Sequence, residues 1–373
     1  MAGGGARGAY QVGVLKGISS MLPPGTPSPF KIICGTSAGA INATALAVRA
    51  GDFHDAVKQL NFVWKNFHVN HVFRADAWGL FVTGAHWFAA LALAGLGRRY
   101  PQELFNRAPL RKLLETKMPC DLIQSSIDSG ALRALAVTAF GYGTGESVTF
   151  YQGIESLTPW KRARRFGSAC KITTDHLMAS SAIPLFFSAV RLNREYFGDG
   201  SVRQSAPISP ALHLGAERIF VIGVRYKVKE QVERLKPQEY PTLAGIAGHM
   251  LNSIFLDAIE TDLELLHRIN HTVSHIPKEY LKDGANTLRK VDTFWISPSR
   301  DIEPIATKHV HQLPLALRML LRGMGAAGRN GANLSSYLLF EQAYCRELIA
   351  LGYADARARK EEILDFLGVK TQR

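Results

Sequence analysis

The chain is poor in the features that mark secreted, metal-binding and repetitive proteins. Its four cysteines, Cys34, Cys120, Cys170 and Cys345, are scattered without the spacing of a zinc or redox motif. Residues 1–8 (MAGGGARG) lack the apolar segment that a secretory signal needs. We see no internal repeat and no long low-complexity linker. These absences favour a reduced, cytoplasmic, globular protein, and we expect no metal and no organic cofactor.

Acidic residues are scarce relative to basic ones. The 373 residues include 31 Asp and Glu against 44 Lys and Arg, which gives a net charge of +13. Such a balance favours an anionic partner, either nucleic acid or a membrane surface, although a basic exterior without a partner is the simpler alternative. Residues 161–165 (KRARR) concentrate this charge, either as a solvated face or as a contact for phosphate or anionic lipid.

One window lacks charge altogether. Residues 77–97 contain no Asp, Glu, Lys or Arg, and they are rich in Trp, Phe, Leu and Ala. The length would permit a transmembrane helix, but the window holds four glycines and His86. We therefore expect residues 75–100 to form an apolar lid or an interfacial insertion beside a lipid-binding groove, with a plain buried helix as the alternative.

The clearest chemical motif is Gly35-Thr-Ser37-Ala-Gly39. The apolar run 32–34 predicts a buried strand before it, and an alanine-rich run to Ala50 predicts a helix after it. A strand, a tight Gly-x-Ser-x-Gly turn and a helix are the context of a nucleophile elbow. The glycines permit a cramped backbone, and the helix N-terminus stabilises negative charge near Ser37. The alternative is an ordinary turn in which the serine caps the helix.

A glycine loop, Gly3-Gly4-Gly5-Ala6-Arg7-Gly8, opens the chain ahead of a predicted helix from Ala9 to about Met21. Such a loop can turn consecutive backbone N–H groups toward one ligand atom. A dinucleotide-binding loop would use Gly3, Gly5 and Gly8, but it requires a preceding strand. A glycine loop that feeds a helix normally receives its chain from a strand, so we expect a strand to be missing ahead of Gly3.

A third motif, Tyr196-Phe-Gly-Asp199-Gly200-Ser201, ends a predicted strand with an aspartate. An Asp-Gly pair also occurs in ordinary turns, and a simple turn is the alternative interpretation here. However, a predicted helix and the apolar strand 218–224 follow, which extends the α/β pattern and places Asp199 at the edge of a sheet where active sites collect.

Three motifs together fit serine acyl transfer. The reaction needs a nucleophile, a base and donors for an oxyanion. Ser37 supplies the nucleophile, Asp199 is the candidate base, and Gly4 and Gly5 are the expected donors. An aspartate at its reference pKa of about 3.9 is a weak base near neutrality, so we expect partial burial to raise the pKa of Asp199.

These motifs resemble those of the patatin-like phospholipases. That family has Gly-Gly-Gly-x-Arg-Gly, then Gly-x-Ser-x-Gly, then a distant Asp-Gly-Gly or Asp-Gly-Ala. The matches here are Gly3 to Gly8, Gly35 to Gly39 and Asp199-Gly200, and residues 178–184 (MASSAIP) are similar to the family segment ahead of the aspartate. The resemblance covers roughly residues 1–225.

The resemblance implies a three-layer α/β/α sandwich with a mostly parallel central sheet, a Ser37–Asp199 dyad and no catalytic histidine. It further implies that Gly3, Gly4 and Gly5 form the oxyanion hole, and that Arg7 fixes this loop or holds an anionic group. The substrates would be phospholipids or other acyl lipids, met by peripheral contact with an anionic membrane and without nucleic acid. Residues 226–373 would form a mainly helical part that completes or flanks the core.

The chain departs from the family pattern at two points. Ser201 stands where Gly or Ala is usual, and no strand precedes the glycine loop. Three rival hypotheses stay open: a Ser-His-Asp esterase or thioesterase, a nucleotide-binding module, and an inactive membrane-associated protein. The first would recruit a histidine that follows Asp199 in the chain: His213, His249, His267, His271, His275, His309 or His311.

Overall fold

The computed structural model describes residues 1–74, 104–184, 186–204, 207–226, 242–253, 258–277, 288–325 and 329–369. The predicted apolar insertion at 75–100 lies outside the described residues. The strands of the described residues are β1 (Ile32–Thr36), β2 (Ala134–Gly141), β3 (Ser147–Gly153), β4 (Trp160–Arg162), β5 (Arg165–Ala169), β6 (Val190–Leu192), β7 (Glu195–Asp199), β8 (Arg218–Ile222) and β9 (Asp292–Ile296).

Helices flank these strands and dominate the C-terminal part. Those described are α1 (Gly8–Ser19), α2 (Ala38–Ala47), α3 (Phe53–Lys65), α4 (Ala108–Lys117), α5 (Leu122–Asp128), α6 (Thr174–Ser180), α7 (Ser209–His213), α8 (Leu243–Asn252), α9 (Ala258–Ser274), α10 (Glu303–His309), α11 (Leu315–Gly323), α12 (Arg329–Leu338), α13 (Gln342–Ala358) and α14 (Lys360–Leu367). The α/β class predicted from the sequence is confirmed.

The central sheet has seven strands and is mixed. Its strands run in the order β4-β5-β3-β2-β7-β6, and β1 also pairs with β2. Only the β1–β2 and β3–β5 pairs are parallel, while the other four pairs are antiparallel. The expectation of a mostly parallel sheet was therefore wrong. Short connections such as the one between β6 and β7 can only join antiparallel neighbours, whereas a parallel pair needs a long crossover.

The basic run 161–165 belongs to one of these short connections. Lys161 and Arg162 end β4, Arg165 begins β5, and Arg164 takes a positive φ of 57° in the turn between them. The charges therefore sit on an antiparallel hairpin at the edge of the sheet.

The C-terminal helices pack directly on the predicted core. Helix α1 crosses α13 so closely that a Cβ on Gly13 would collide with the carbonyl oxygen of Ile349, and one on Gly352 with the carbonyl oxygen of Tyr10. Both helices contribute to one apolar cluster that also contains β1, β2 and α2. This close approach explains the glycines in two otherwise ordinary helices.

Helices α12 and α13 follow one another closely but are separate. The break at residues 339–341 places Glu341 against another part of the chain. Its carboxylate accepts a hydrogen bond from the Val69 N–H at 3.3 Å and contacts His68 Nδ1 at 2.9 Å. A long-range polar contact outweighs local helical periodicity here.

Candidate active site

Ser37 lies on a sharp turn between β1 and α2, as the nucleophile-elbow motif predicts. Its φ of 55° and ψ of −129° are rare for a residue with a side chain. A Cβ on Gly35 would collide with the carbonyl oxygen of Gly39, and one on Gly39 would lie 2.5 Å from the carbonyl oxygens of Met1 and Ala2. Both glycines are therefore required by close backbone approach, and the strain at Ser37 is typical of a functional position.

Strand β2 brings Ser37 and Asp199 together. β1 runs parallel to β2 and ends with Thr36 opposite Thr138. β7 approaches along the same edge of β2 from the opposite direction, and it ends with Asp199 opposite Ala139. Because the two strands meet end to end, residues that are far apart in the sequence become neighbours. Gly200 follows directly after β7 and lies close to β2. A Cβ on Gly200 would collide with the Thr138 carbonyl oxygen.

Asp199 is fully buried and has an elevated pKa. Burial raises the pKa of its carboxyl group to about 6, against weaker lowering effects from Ser37, Ser201 and Arg107. Oδ1 accepts a hydrogen bond from the Ser201 N–H at 2.9 Å. Oδ2 has no hydrogen-bond partner among the described residues. The Ser37 hydroxyl is thus near enough to influence the carboxyl without forming a well-aligned hydrogen bond to it.

The glycine loop lies on the other side of Ser37. Gly5 and Ser37 border the same cavity, while Gly3, Gly4 and Ala6 are buried beside it. Gly4 and Gly5 have positive φ values of 155° and 54°. A Cβ on Gly5 would collide with the carbonyl oxygen of Tyr337 in α12. Gly5 therefore packs tightly against the backbone of α12, where a side chain would clash.

Arg7 ties the loop to the C-terminal helices. Its guanidinium donates to Ser336 Oγ and Asn333 Oδ1, each at 2.8 Å, and to Asn252 Oδ1 at 3.4 Å. It also lies 4.2 Å from the ring centre of Tyr337. The side chain is only 3% exposed. The loop-fixing role expected for Arg7 fits these contacts. The alternative, that Arg7 holds an anionic group, receives no support from these contacts, because all three of the named acceptors are neutral.

An apolar cavity of about 340 Å³ opens beside Ser37. Its walls come from α2, α3, α4 and the segment after α6. Most of the lining is aliphatic or aromatic, including Ile41, Leu60, Trp64, Leu114, Ile183 and Phe187. A pocket of this character accommodates a hydrocarbon group with its polar end at Ser37.

Comparison with known proteins agrees with this geometry. A family model described as "Patatin-like phospholipase" matches residues 1–212, which is more than half of the chain. The chain belongs to the patatin-like phospholipase family. It is therefore a member of a family of lipid acyl hydrolases. A search of curated proteins gives no match.

Two side chains in this patatin-like site were not singled out from the sequence. Ser180 Oγ accepts the Ser37 N–H at 2.9 Å and donates to the Thr138 carbonyl at 2.6 Å, so it fastens the elbow to β2. Buried Arg107 donates to the carbonyl oxygens of Met178 and Ser188, at 2.9 and 2.7 Å. Ser180 lies within the segment 178–184 that resembles the family, which is the one sequence signal for it.

The described residues that line the cavity include no histidine. The candidates after Asp199 have other neighbours: His213 stacks on Trp160, His267 contacts Thr293, and His309 contacts Glu347. In the described ranges, no group of three or more His, Cys, Asp and Glu could hold a metal ion. Within those same ranges, every helix is too short or too polar to cross a membrane.

Proposed function

We propose that the chain is a serine hydrolase that cleaves carboxylic esters of phospholipids or other acyl lipids through a Ser37–Asp199 dyad. One observation carries the proposal: a strained serine that borders an apolar cavity has beside it a buried aspartate with a free carboxylate oxygen. The nearest rival, a Ser-His-Asp triad, receives no support from the surroundings of Ser37 in the described residues.

In the first half of the reaction, Ser37 Oγ attacks the ester carbonyl carbon. Its proton passes to Asp199 Oδ2, the atom left free by the other contacts of the carboxylate. The carbonyl oxygen becomes an oxyanion, for which the N–H groups of Gly5 and Gly4 are the proposed donors. Collapse of this intermediate breaks the ester C–O bond, and Asp199 returns the proton to the leaving alkoxide. An acyl-serine at Ser37 and a free alcohol result.

In the second half, a water molecule takes the place of Ser37 as the nucleophile. Asp199 accepts a proton as the water attacks the acyl carbon, and the resulting intermediate expels Ser37 Oγ, which recovers the proton. The fatty acid leaves from the apolar cavity. Burial suits Asp199 to both steps, because a carboxylate with a pKa of about 6 exchanges protons near neutrality more readily than an exposed one.

Labelling with a fluorophosphonate probe tests the dyad. The reagent should phosphonylate the wild-type protein at Ser37, fail to label Ser37→Ala, and label Asp199→Asn at a strongly reduced rate. Ser181→Ala is the matched control, because Ser181 borders the same cavity but its hydroxyl donates to the Leu177 carbonyl. Labelling that persists in Ser37→Ala, or disappears in Ser181→Ala alone, would overturn the assignment.

Hydrolysis of esters with different acyl chains tests the substrate class. The apolar cavity predicts that long-chain esters are cleaved with a higher kcat/KM than acetyl esters that share the same leaving group. A protein that reacts with the probe but cleaves neither the long-chain nor the acetyl esters would have a reactive serine without esterase activity. That result would favour the rival hypothesis of an inactive membrane-associated protein.

We further propose that an anionic membrane surface is met by helices α8 and α11. The two helices adjoin, since the Ala244 N–H donates to the Met324 carbonyl at 2.8 Å. Their exposed apolar side chains are Leu243, Ile246, Met250, Leu315 and Met319. Residues 242–253 and 310–325 contain no Asp or Glu but include Arg318 and Arg322. Exposed apolar groups among basic ones are typical of a surface that binds anionic lipid.

Sedimentation with phosphatidylglycerol-containing vesicles tests this surface. The double variant Leu315→Gln/Met319→Gln should bind these vesicles less than wild type, while its fluorophosphonate labelling stays unchanged. Leu122→Gln removes an exposed leucine from α5 and should bind normally. Equal loss in both variants would contradict a membrane role for α8 and α11 specifically.

A further inference from the structure

The segment that leads from α6 toward β6 contacts both members of the proposed dyad. This connecting segment (residues 178–184 and 186–188) begins in the last turn of α6. Ser180 Oγ accepts the Ser37 N–H at 2.9 Å, and the Ala182 carbonyl oxygen accepts the Asp199 N–H at 2.9 Å. Its residues also border the apolar cavity, through Ser181, Ile183 and Phe187. Displacement of the segment would therefore shift Ser37 and Asp199 relative to each other.

The connecting segment has little regular structure to hold it in place. Helix α6 ends at Ser180 and β6 begins at Val190, and the described residues between them belong to neither a helix nor a strand. Backbone groups in such a segment lack the regular bonds of a helix or a sheet, so they need partners from elsewhere. Groups outside the segment must therefore fix its position.

Arg107 supplies two of these partners. Its Nη1 donates to the Met178 carbonyl oxygen at 2.9 Å, and its Nη2 donates to the Ser188 carbonyl oxygen at 2.7 Å. A longer contact of 3.5 Å joins Nη1 to Ser181 Oγ. Because Met178 and Ser188 lie at opposite ends of the connecting segment, one guanidinium holds both ends.

The surroundings of Arg107 keep the guanidinium in this orientation. The residue is only 3% exposed, and its Cζ lies 5.0 Å from the centre of the Phe187 ring. The chain ahead of Arg107 is tied to the same segment, because the Phe105 N–H donates to the Phe186 carbonyl oxygen at 2.9 Å. A guanidinium is planar and donates in several fixed directions, whereas the lysine ammonium is a compact point charge. Lysine at position 107 would therefore keep the charge but not the pair of bonds.

Arg107 also acts on Asp199 through its charge. Burial raises the pKa of Asp199 to about 6, while hydrogen bonds from Ser37 and Ser201 and the positive charge of Arg107 lower it. Tyr142 is a further titratable group near the carboxyl, since burial and then the charge of Asp199 raise the pKa of its hydroxyl. Charges in a buried site are screened less than exposed ones. Loss of the Arg107 charge would therefore shift Asp199 toward its protonated form, which cannot accept a proton from Ser37.

We propose that Arg107 is a positioning residue for the Ser37–Asp199 dyad, because its two bonds hold the ends of the connecting segment and its positive charge favours the ionised form of Asp199. The inference rests on the proposed hydrolase function and assigns Arg107 no contact with the substrate.

Three variants of the full chain separate the two effects. Arg107→Lys keeps the positive charge, and Arg107→Gln removes the charge but keeps an amide donor. Arg111→Gln is the matched control, because Arg111 lies in α4 and its exposed side chain pairs with Asp175 at 2.7 Å. The rate of fluorophosphonate labelling at Ser37 is measured for each protein between about pH 5 and pH 8, a range that spans the titration of the proposed base.

The wild-type labelling rate should rise with pH through a midpoint at about pH 6, set by Asp199. Arg107→Lys should keep this midpoint but label about tenfold more slowly, because the connecting segment is then no longer held at both ends. Arg107→Gln should also label slowly, and its midpoint should move to a higher pH. Arg111→Gln should match wild type in both rate and midpoint.

A wild-type midpoint in Arg107→Gln, or a wild-type rate in Arg107→Lys, would overturn the proposal. If circular dichroism shows that Arg107→Gln does not fold, the labelling rate of Arg107→Lys decides the matter. Failure of the hydrolase function itself gives a different result, because wild type would then not be labelled at Ser37 at any pH. Labelling of wild type, with the same rate and midpoint in all three variants, would refute only the role of Arg107.

Discussion

Asp199 combines two properties that usually conflict. A buried carboxylate is costly, yet a base must be able to ionise near neutral pH. Here burial raises its pKa to about 6 while the Ser201 N–H and the nearby Ser37 retain part of the stabilisation of the anion. We expect kcat/KM for ester hydrolysis to rise with pH and to level off above about pH 6. A flat pH–rate profile between pH 5 and 7 would contradict this assignment.

The same burial predicts a stability change on substitution. The folded pKa of about 6 exceeds the unfolded value, so burial of Asp199 costs nothing below about pH 4 and destabilises the fold progressively as pH rises through 6. Asp199→Asn keeps an acceptor for the Ser201 N–H but cannot ionise. Its free energy of unfolding should exceed that of wild type by about 1–3 kcal/mol at pH 8 and match it near pH 4. Denaturant unfolding at both pH values measures this difference.

Ser180 should act as a positioning residue for the elbow. Ser180→Ala leaves the Ser37 N–H and the Thr138 carbonyl without their buried partner, which costs about 1–3 kcal/mol of folding stability. The Ser37 turn should then relax, so that kcat falls while KM changes little. Ser180→Thr restores the hydroxyl and should recover part of kcat. Equal activity in Ser180→Ala and wild type would show that the elbow holds its shape without this bond.

At the level of elements, the glycine loop is held by helix α12. Arg7 is buried with neutral acceptors, and Asn333 Oδ1 supplies one of its shortest bonds. Asn333→Ala should slow fluorophosphonate labelling at Ser37 by about tenfold, because the loss of a bond to a charged donor lets the loop shift. Asn333→Asp keeps the acceptor oxygen and should label near the wild-type rate. Loss of labelling in both variants would indicate general unfolding instead.

Local motifs predicted the elbow well and the contacts around it poorly. The motif from Gly35 to Gly39 spans five consecutive residues, and its strand, turn and helix follow from the local sequence pattern alone. Ser180 and Asn333 reach the site through contacts across 143 and 326 residues of sequence. Ser180 lies in the family-like segment 178–184, but nothing in that segment assigns its contact with Ser37, and nothing local distinguishes Asn333 from other buried polar residues.

At the scale of the whole molecule, sheet order was the least predictable feature. The strand ending in Asp199 was recognised, but its antiparallel approach to β2 was not, because strand direction depends on where the connections pass. That approach is what places Asp199 beside Ser37. The family resemblance identified the family correctly, although the mostly parallel sheet expected with it was wrong.

The net charge of +13 predicts how the whole protein responds to salt. If long-range attraction brings it to anionic membranes, binding to phosphatidylglycerol vesicles should weaken strongly between about 50 and 500 mM NaCl, because the screening length shortens. Binding to phosphatidylcholine vesicles should be weak at both concentrations. The variant Leu315→Gln/Met319→Gln should bind less than wild type at both concentrations, since apolar insertion is not screened by salt. Equal binding to both lipids at low salt would mean that the charge plays no part in membrane attachment.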